Sequence, residues 1–302
     1  MSGVHVLMMK GLHGSMPYAF ILALAQFESL QTLHLSSCRL SNIAHLRRIV
    51  ASFPKLEELA LYGEVLTTQS SGIHVGASAL FQPESDIRLR RLTIDARGDA
   101  RKFKPIIDWV VHARICTSLV ELSIGWIGEP TRSIEAVDRL LRVASPSLTR
   151  YSEVANLSNW HGNLIPNTVL RSLDCTLTNI NPLGQSSDNW PKMVDKLRSI
   201  LSTVRSRQLE HIGLSSGVML YDSAYGELGV VVEKLDLRHL HEVMSRPYFD
   251  ALREIKMKTL LYDSHKRSAA DVDDIGRKIE VVFRTLLRPW SDRGIVDVVW
   301  TQ

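Results

Sequence analysis

The side chains in this 302-residue chain that could perform catalysis or hold a ligand do not fall at catalytic spacings. His239 and His241 are two apart on a predicted helix, where such neighbours point in different directions and do not share a metal. Cys38, Cys116 and Cys175 are widely separated and form no C-x-x-C, so no zinc site is indicated. Arg114 stands close to Cys116, but no base accompanies it to make a reactive thiolate. The chain has no G-x-x-x-x-G-K-[ST], G-x-G-x-x-G, H-E-x-x-H or G-x-S-x-G, and therefore no sequence for a phosphate loop, a dinucleotide turn, a zincin helix or a nucleophile elbow. The reading is a protein with no catalytic, cofactor-binding or metal-ligating residues and no cofactor; the competing class, an enzyme domain with accidental leucine spacing, would show a deep polar pocket with convergent His, Asp or Ser side chains.

The remaining chemistry is recognition. His34, Tyr62, Arg91, Asp95, Trp126, Asp174, His211 and Lys256 occupy or adjoin the outward positions of short predicted strands. Side chains alternate along a strand, so these residues share the face that leucines leave free. They supply aromatic, cationic and anionic groups at fixed spacing, as a protein-binding surface requires. A second feature is a basic stretch of seven residues, Arg88, Arg90, Arg91, Arg97, Arg101, Lys102 and Lys104, offset by Asp95 and Asp99.

These residues are positioned by a repeat. Leu30 to Leu40 reads L-x-x-L-x-L-x-x-C-x-L, with Leu33 and Leu35 on one strand face and Cys38 at the bend that follows. Leu56, Leu59, Leu61 and Leu66 repeat it after 26 residues. Leu89, Leu92 and Ile94 follow, then Leu119, Leu122 and Ile124, then Leu170, Leu173 and Cys175. Leu209, Ile212 and Leu214, and then Leu252, Ile255 and Met257, continue the series; Val4, Leu7 and Met9 precede it. Leu148, Tyr151 and Glu153 are a poor copy, and Ile295, Val298 and Trp300 a plausible last one, for about ten strand units in all.

Helical spacing separates the strands at Met16–Phe27, Ile43–Val50, Lys102–Ile115, Ile134–Val143, Trp190–Val204, Leu235–Phe249 and Ala269–Leu287. The first of these is apolar nearly all round and predicts burial on several sides, with Ser15 as its cap. Ser41 is the predicted cap of the second. Strands alternating with helices predict an α/β fold, a parallel sheet with crossover helices. The whole of 1–302 reads as one irregular leucine-rich repeat solenoid, a helix-backed horseshoe with the sheet on its concave face, interrupted by insertions near 67–85, 156–167 and 217–229.

Composition agrees with a globular chain: 45% apolar, 23% charged and a net charge of +4. That charge is too mild to argue for nucleic acid or an acidic membrane. No apolar run reaches the roughly 18–20 residues that span a bilayer. Tyr18–Ala25 resembles a short signal core, but it follows a repeat strand and reads better as a helix with Pro17 in its first turn. Reduced, buried cysteines suit a cytoplasmic or nuclear compartment.

Taken together, the repeats resemble the leucine-rich repeat part of fungal F-box proteins, within the ribonuclease-inhibitor-like group. The resemblance rests on Leu30–Leu40, Phe53-Pro54-Lys55-Leu56, Leu89-Arg90-Arg91-Leu92, Pro247-Tyr248-Phe249-Asp250-Ala251-Leu252 and Leu287-Arg288-Pro289-Trp290. It implies that the repeats hold a target protein and that an upstream F-box docks the adaptor of a cullin-based ubiquitin ligase. No F-box is legible ahead of Val4, so the chain is read as a truncated product or as a repeat protein working apart from a ligase. The partners expected are a protein target on the concave face, a ligase adaptor only with an upstream F-box, no nucleic acid and no membrane. Apolar residues at Val4–Met9 and Ile295–Trp300 also predict self-association through uncapped ends.

Overall fold

The computed structural model describes residues 3–14, 17–66, 87–96, 103–126, 134–155, 161–177, 189–220, 233, 235–263 and 268–301. They form two compact α/β units, Met1–Leu148 and Thr149–Gln302. The first unit contains β1 (Val6–Lys10), β2 (His13–Gly14), α1 (Tyr18–Leu24), β3 (Thr32–Ser36), β4 (Arg39–Leu40), α2 (Ile43–Ala51) and β5 (Glu58–Tyr62). It continues with β6 (Arg91–Ala96), α3 (Phe103–His112), β7 (Glu121–Trp126) and α4 (Ile134–Ala144). Its sheet runs β1-β3-β5-β6-β7 with every neighbouring pair parallel. The second unit contains β8 (Arg150–Ala155), β9 (Ser172–Thr176), α5 (Asn189–Thr203), β10 (His211–Leu220) and α6 (Arg238–Met244). A 3-10 turn at Pro247–Phe249, β11 (Glu254–Asp263), α7 (Ala269–Leu286), α8 (Arg288–Ser291) and β12 (Val296–Thr301) complete it. Its strands are parallel in the order β8-β9-β10-β11-β12.

The repeat pattern sets the core of the first unit. Leu33, Leu59, Leu92 and Leu122 lie side by side across four strands, and Leu35, Leu61, Ile94 and Ile124 form the next row. All eight are at most 1% exposed, so a single slip of register would take whole rows out of the interior. Helices close the same interior with residues three and four apart, as α4 does with Ala136, Val137, Leu140, Leu141 and Ala144. The bend after β3 is held as its cysteine predicts: Cys38 Sγ donates to the carbonyls of Met9 and Ser36, each at 3.4 Å.

Several details differ from expectation, each for a physical reason. The cap of α2 is Asn42, whose Oδ1 accepts from His45 N at 3.1 Å; Ser41 instead bonds the His45 ring at 2.8 Å. The helix predicted over Leu235–Phe249 stops at Met244, because Pro247 lacks the N–H and carries the ring that end an α-helix. Helix α1 is not enclosed on several sides: Leu24 is buried, but Ala19, Leu22 and Ala23 are exposed, since α2 is the helix that covers it. Residues 217–220, assigned by sequence to an insertion, continue β10 in register with β11. In the last strand Val296, not Val298, stands beside Ile255. The two-residue shift keeps the same side chains inward because the strand period is also two. The 67–85 insertion and Ser15 lie outside the described residues, as does most of the basic stretch between Arg97 and Lys102.

Candidate functional site

In each unit the strand face opposite the apolar rows carries the residues singled out by sequence. In the first unit, Glu58 Oε1 meets His34 Nε2 at 3.2 Å, and Glu58 Oε2 accepts from Arg91 Nε at 2.9 Å. The His34 ring also stands edge-on to Tyr62, with centroids 6.1 Å apart. Small Ala60, between His34 and Thr93 in register, is buried although it faces outward, because its neighbours are larger. Tyr62 and Asp95 share the next level, and the Asp95 carboxylate leans toward Gly125, where an added Cβ would lie 3.1 Å from its Oδ1. His34, Tyr62, Arg91 and Asp95 thus fall on one surface. β7 ends at Trp126, whose side chain lies outside the described residues.

The second unit brings Asp174, His211 and Lys256 into one groove of about 460 Å³ on the open face of β8 to β11. Glu254 is its hub: Lys256 Nζ lies at 2.8 Å and His211 Nδ1 at 3.5 Å. The Lys256 ammonium holds the Glu254 carboxyl below its usual range, and the carboxylate in turn raises the Lys256 ammonium. Asp174 crosses its neighbouring strand at Gly213, where any Cβ would fall 2.0 Å from Asp174 Oδ1. A side chain at position 213 would displace that carboxylate. Asp95 over Gly125 and Asp174 over Gly213 are therefore the same device, used once in each unit.

Glu58 and Glu254 are not among the residues singled out by sequence. The available signal was charge: Glu58, Arg91 and Glu121 occupy one repeat position and alternate in sign. A second missed feature lies behind the groove. Glu153 is only 3% exposed, and its Oε2 accepts from Tyr151 Oη at 2.8 Å and from Gly162 N at 3.0 Å. Lys196 on α5 is buried as well; burial lowers its pKa and the Glu153 carboxylate opposes that shift. Tyr151 and Glu153 hold the positions that Leu33 and Leu35 hold in β3, which explains why this unit copies the repeat poorly. The two predicted histidines diverge: His239 faces Glu242 at 3.3 Å, and His241 Nε2 lies 3.2 Å from the Leu286 carbonyl. Among the described residues no group of three or more His, Cys, Asp or Glu is placed to hold a metal ion.

All three cysteines are buried and free. Burial pushes the Cys116 thiol up to about 11 and raises Cys175 well above its usual value. The folded pKa of Cys116 lies above the unfolded one, so its contribution is complete below pH 9 and is lost as pH rises toward 11. The loss is at most about 1.4 kcal/mol per pH unit. Lys196 acts in the opposite sense below its ordinary pKa of 10.5. Urea unfolding between pH 8.5 and 10.5 is therefore expected to show a shallower alkaline loss for Cys116→Ala than for wild type. Equal slopes would remove the thiol from the account.

No protein-family model matches the chain, and no curated protein matches its sequence. No helix among the described residues is long and apolar enough to cross a membrane.

Proposed function

We propose that the chain is a leucine-rich repeat solenoid that binds another protein through the open face of its strands and has no enzymatic activity of its own. The observation that carries this reading is the ordered outward surface. Polar and aromatic side chains from neighbouring parallel strands stand in register, joined by the His34–Glu58–Arg91 and His211–Glu254–Lys256 contacts. Backbone pairing holds such side chains at fixed spacing before a partner arrives, which lowers the ordering cost of binding. The resemblance to F-box proteins makes the target-recognition part of a ubiquitin ligase adaptor the form this function takes in a product that carries an F-box. A repeat scaffold unrelated to ubiquitin is the alternative. Self-association through the apolar strand β1, where Val6 and Met8 are exposed, belongs to the same proposal.

The test is proximity labelling in cells with the full chain and two double variants. Arg91→Glu with Lys256→Glu alters the open face; Glu135→Ala with Arg142→Ala alters the exposed side of α4. Labelled partners should fall several-fold with the first pair and persist with the second. Identical partner lists for both would overturn the reading, and recovery of a cullin adaptor separates the ligase form from the scaffold.

A further inference from the structure

β10 and β11 each run for ten residues, twice the length of β9, and stay paired to their ends. The added length extends the open face beyond the groove. Leu260 and Tyr262 on β11 and Val299 on β12 face outward there and are 37%, 45% and 44% exposed. Three large apolar side chains kept in water on one small surface are unusual unless something covers them. Lys258 stands among them: Val299 and Ser215 flank it in register, and Leu260 follows two residues on along the same face. The Ser215 hydroxyl, bonded to Thr176 Oγ1 at 3.0 Å, forms the polar wall at that level.

The charges lining the groove are not equally occupied. Glu254 is engaged by Lys256 and His211, the Asp174 carboxylate lies across Gly213, and Glu153 is sunk in the core with Tyr151. Lys258 has no ion partner among the described residues. A cation without a partner beside an apolar shelf is complementary to a carboxylate beside an apolar side chain. Resting on the protein-binding reading above, we propose that this shelf receives a segment of the partner that carries an acidic residue next to a large apolar one. The acid sits on Lys258 and the apolar side chain on Leu260, Tyr262 and Val299.

The experiment is selection of a random short-peptide display library on the full chain, with winners measured by fluorescence anisotropy. Enriched peptides should share Asp or Glu beside Leu, Ile, Phe or Tyr, and bind Lys258→Glu and Leu260→Ser about tenfold more weakly. Selection on Lys258→Glu should enrich Lys or Arg in place of the acid. Both positions are exposed, so urea melts of the variants should overlay wild type. Peptides indifferent to both changes but lost on Arg91→Glu would overturn this inference while leaving open-face binding intact. Peptides that survive all three changes would overturn both, and a selection that enriches nothing would overturn the inference.

Discussion

Replacing Lys196 alone by alanine is expected to destabilise the chain by about 3–5 kcal/mol, and Glu153→Ala by a similar amount. Both side chains are buried, and the Glu153 carboxylate favours the charged form of the Lys196 ammonium. Removing Lys196 takes a nearby cation from the buried Glu153 carboxylate, to which Tyr151 Oη and Gly162 N donate. Removing Glu153 leaves an ammonium whose burial already lowers its pKa. The double variant Glu153→Leu/Lys196→Met should be more stable than either single one, because a pair of apolar side chains has no charge to desolvate. It should still fall about 1–3 kcal/mol below wild type, since Tyr151 and Gly162 lose their acceptor. Urea unfolding at pH 7 measures all three. Additive losses, with the double variant the least stable, would show that the two charges do not support each other.

The second large effect is expected at Trp290. Its side chain is 1% exposed, packs on Phe249 with ring centroids 5.4 Å apart, and donates from Nε1 to the Met244 carbonyl at 3.3 Å. Trp290→Ala should cost about 3–5 kcal/mol through the cavity it opens. Trp290→Phe keeps most of the ring volume and loses the donor, so its cost should be about 1–3 kcal/mol. Close by, Arg293 donates to the carbonyls of Phe249 at 2.9 Å and Leu252 at 3.0 Å, which ties the turn before β11 to the segment after α8. Chemical denaturation of the two variants checks the order; an alanine variant losing less than the phenylalanine variant would refute the packing argument.

Trp290 and Phe249 also show how a local signature becomes a contact. Pro247-Tyr248-Phe249 and Arg288-Pro289-Trp290 read in sequence as two separate helix endings of similar style. In the structure the two endings pack on each other, ring against ring. The sequence marked both places because proline stops a helix wherever the chain goes next. It carried no indication that they would meet.

Most of the strands, their inward rows and the role of Cys38 are legible in the local residue pattern. Those features follow from periods of two and from a bend only a few residues long, so neighbouring residues encode them. Outward position was equally legible for His34, Tyr62, Arg91, Asp95, Asp174, His211 and Lys256, because alternation along a strand sets it. Which of these charges meet depends on the pairing of distant strands, and that pairing makes Glu58 and Glu254 the hubs. Register between strands depends on the length and path of everything between them, which no short pattern records. Lys196 is the sharpest case. It lies three residues after Met193 and four before Ile200, within an apolar helix face, and its burial there is opposed electrostatically by the Glu153 carboxylate. The meaning of a buried charge is set by the charges around it, and the Glu153 carboxylate that acts on Lys196 lies 43 residues away in the chain.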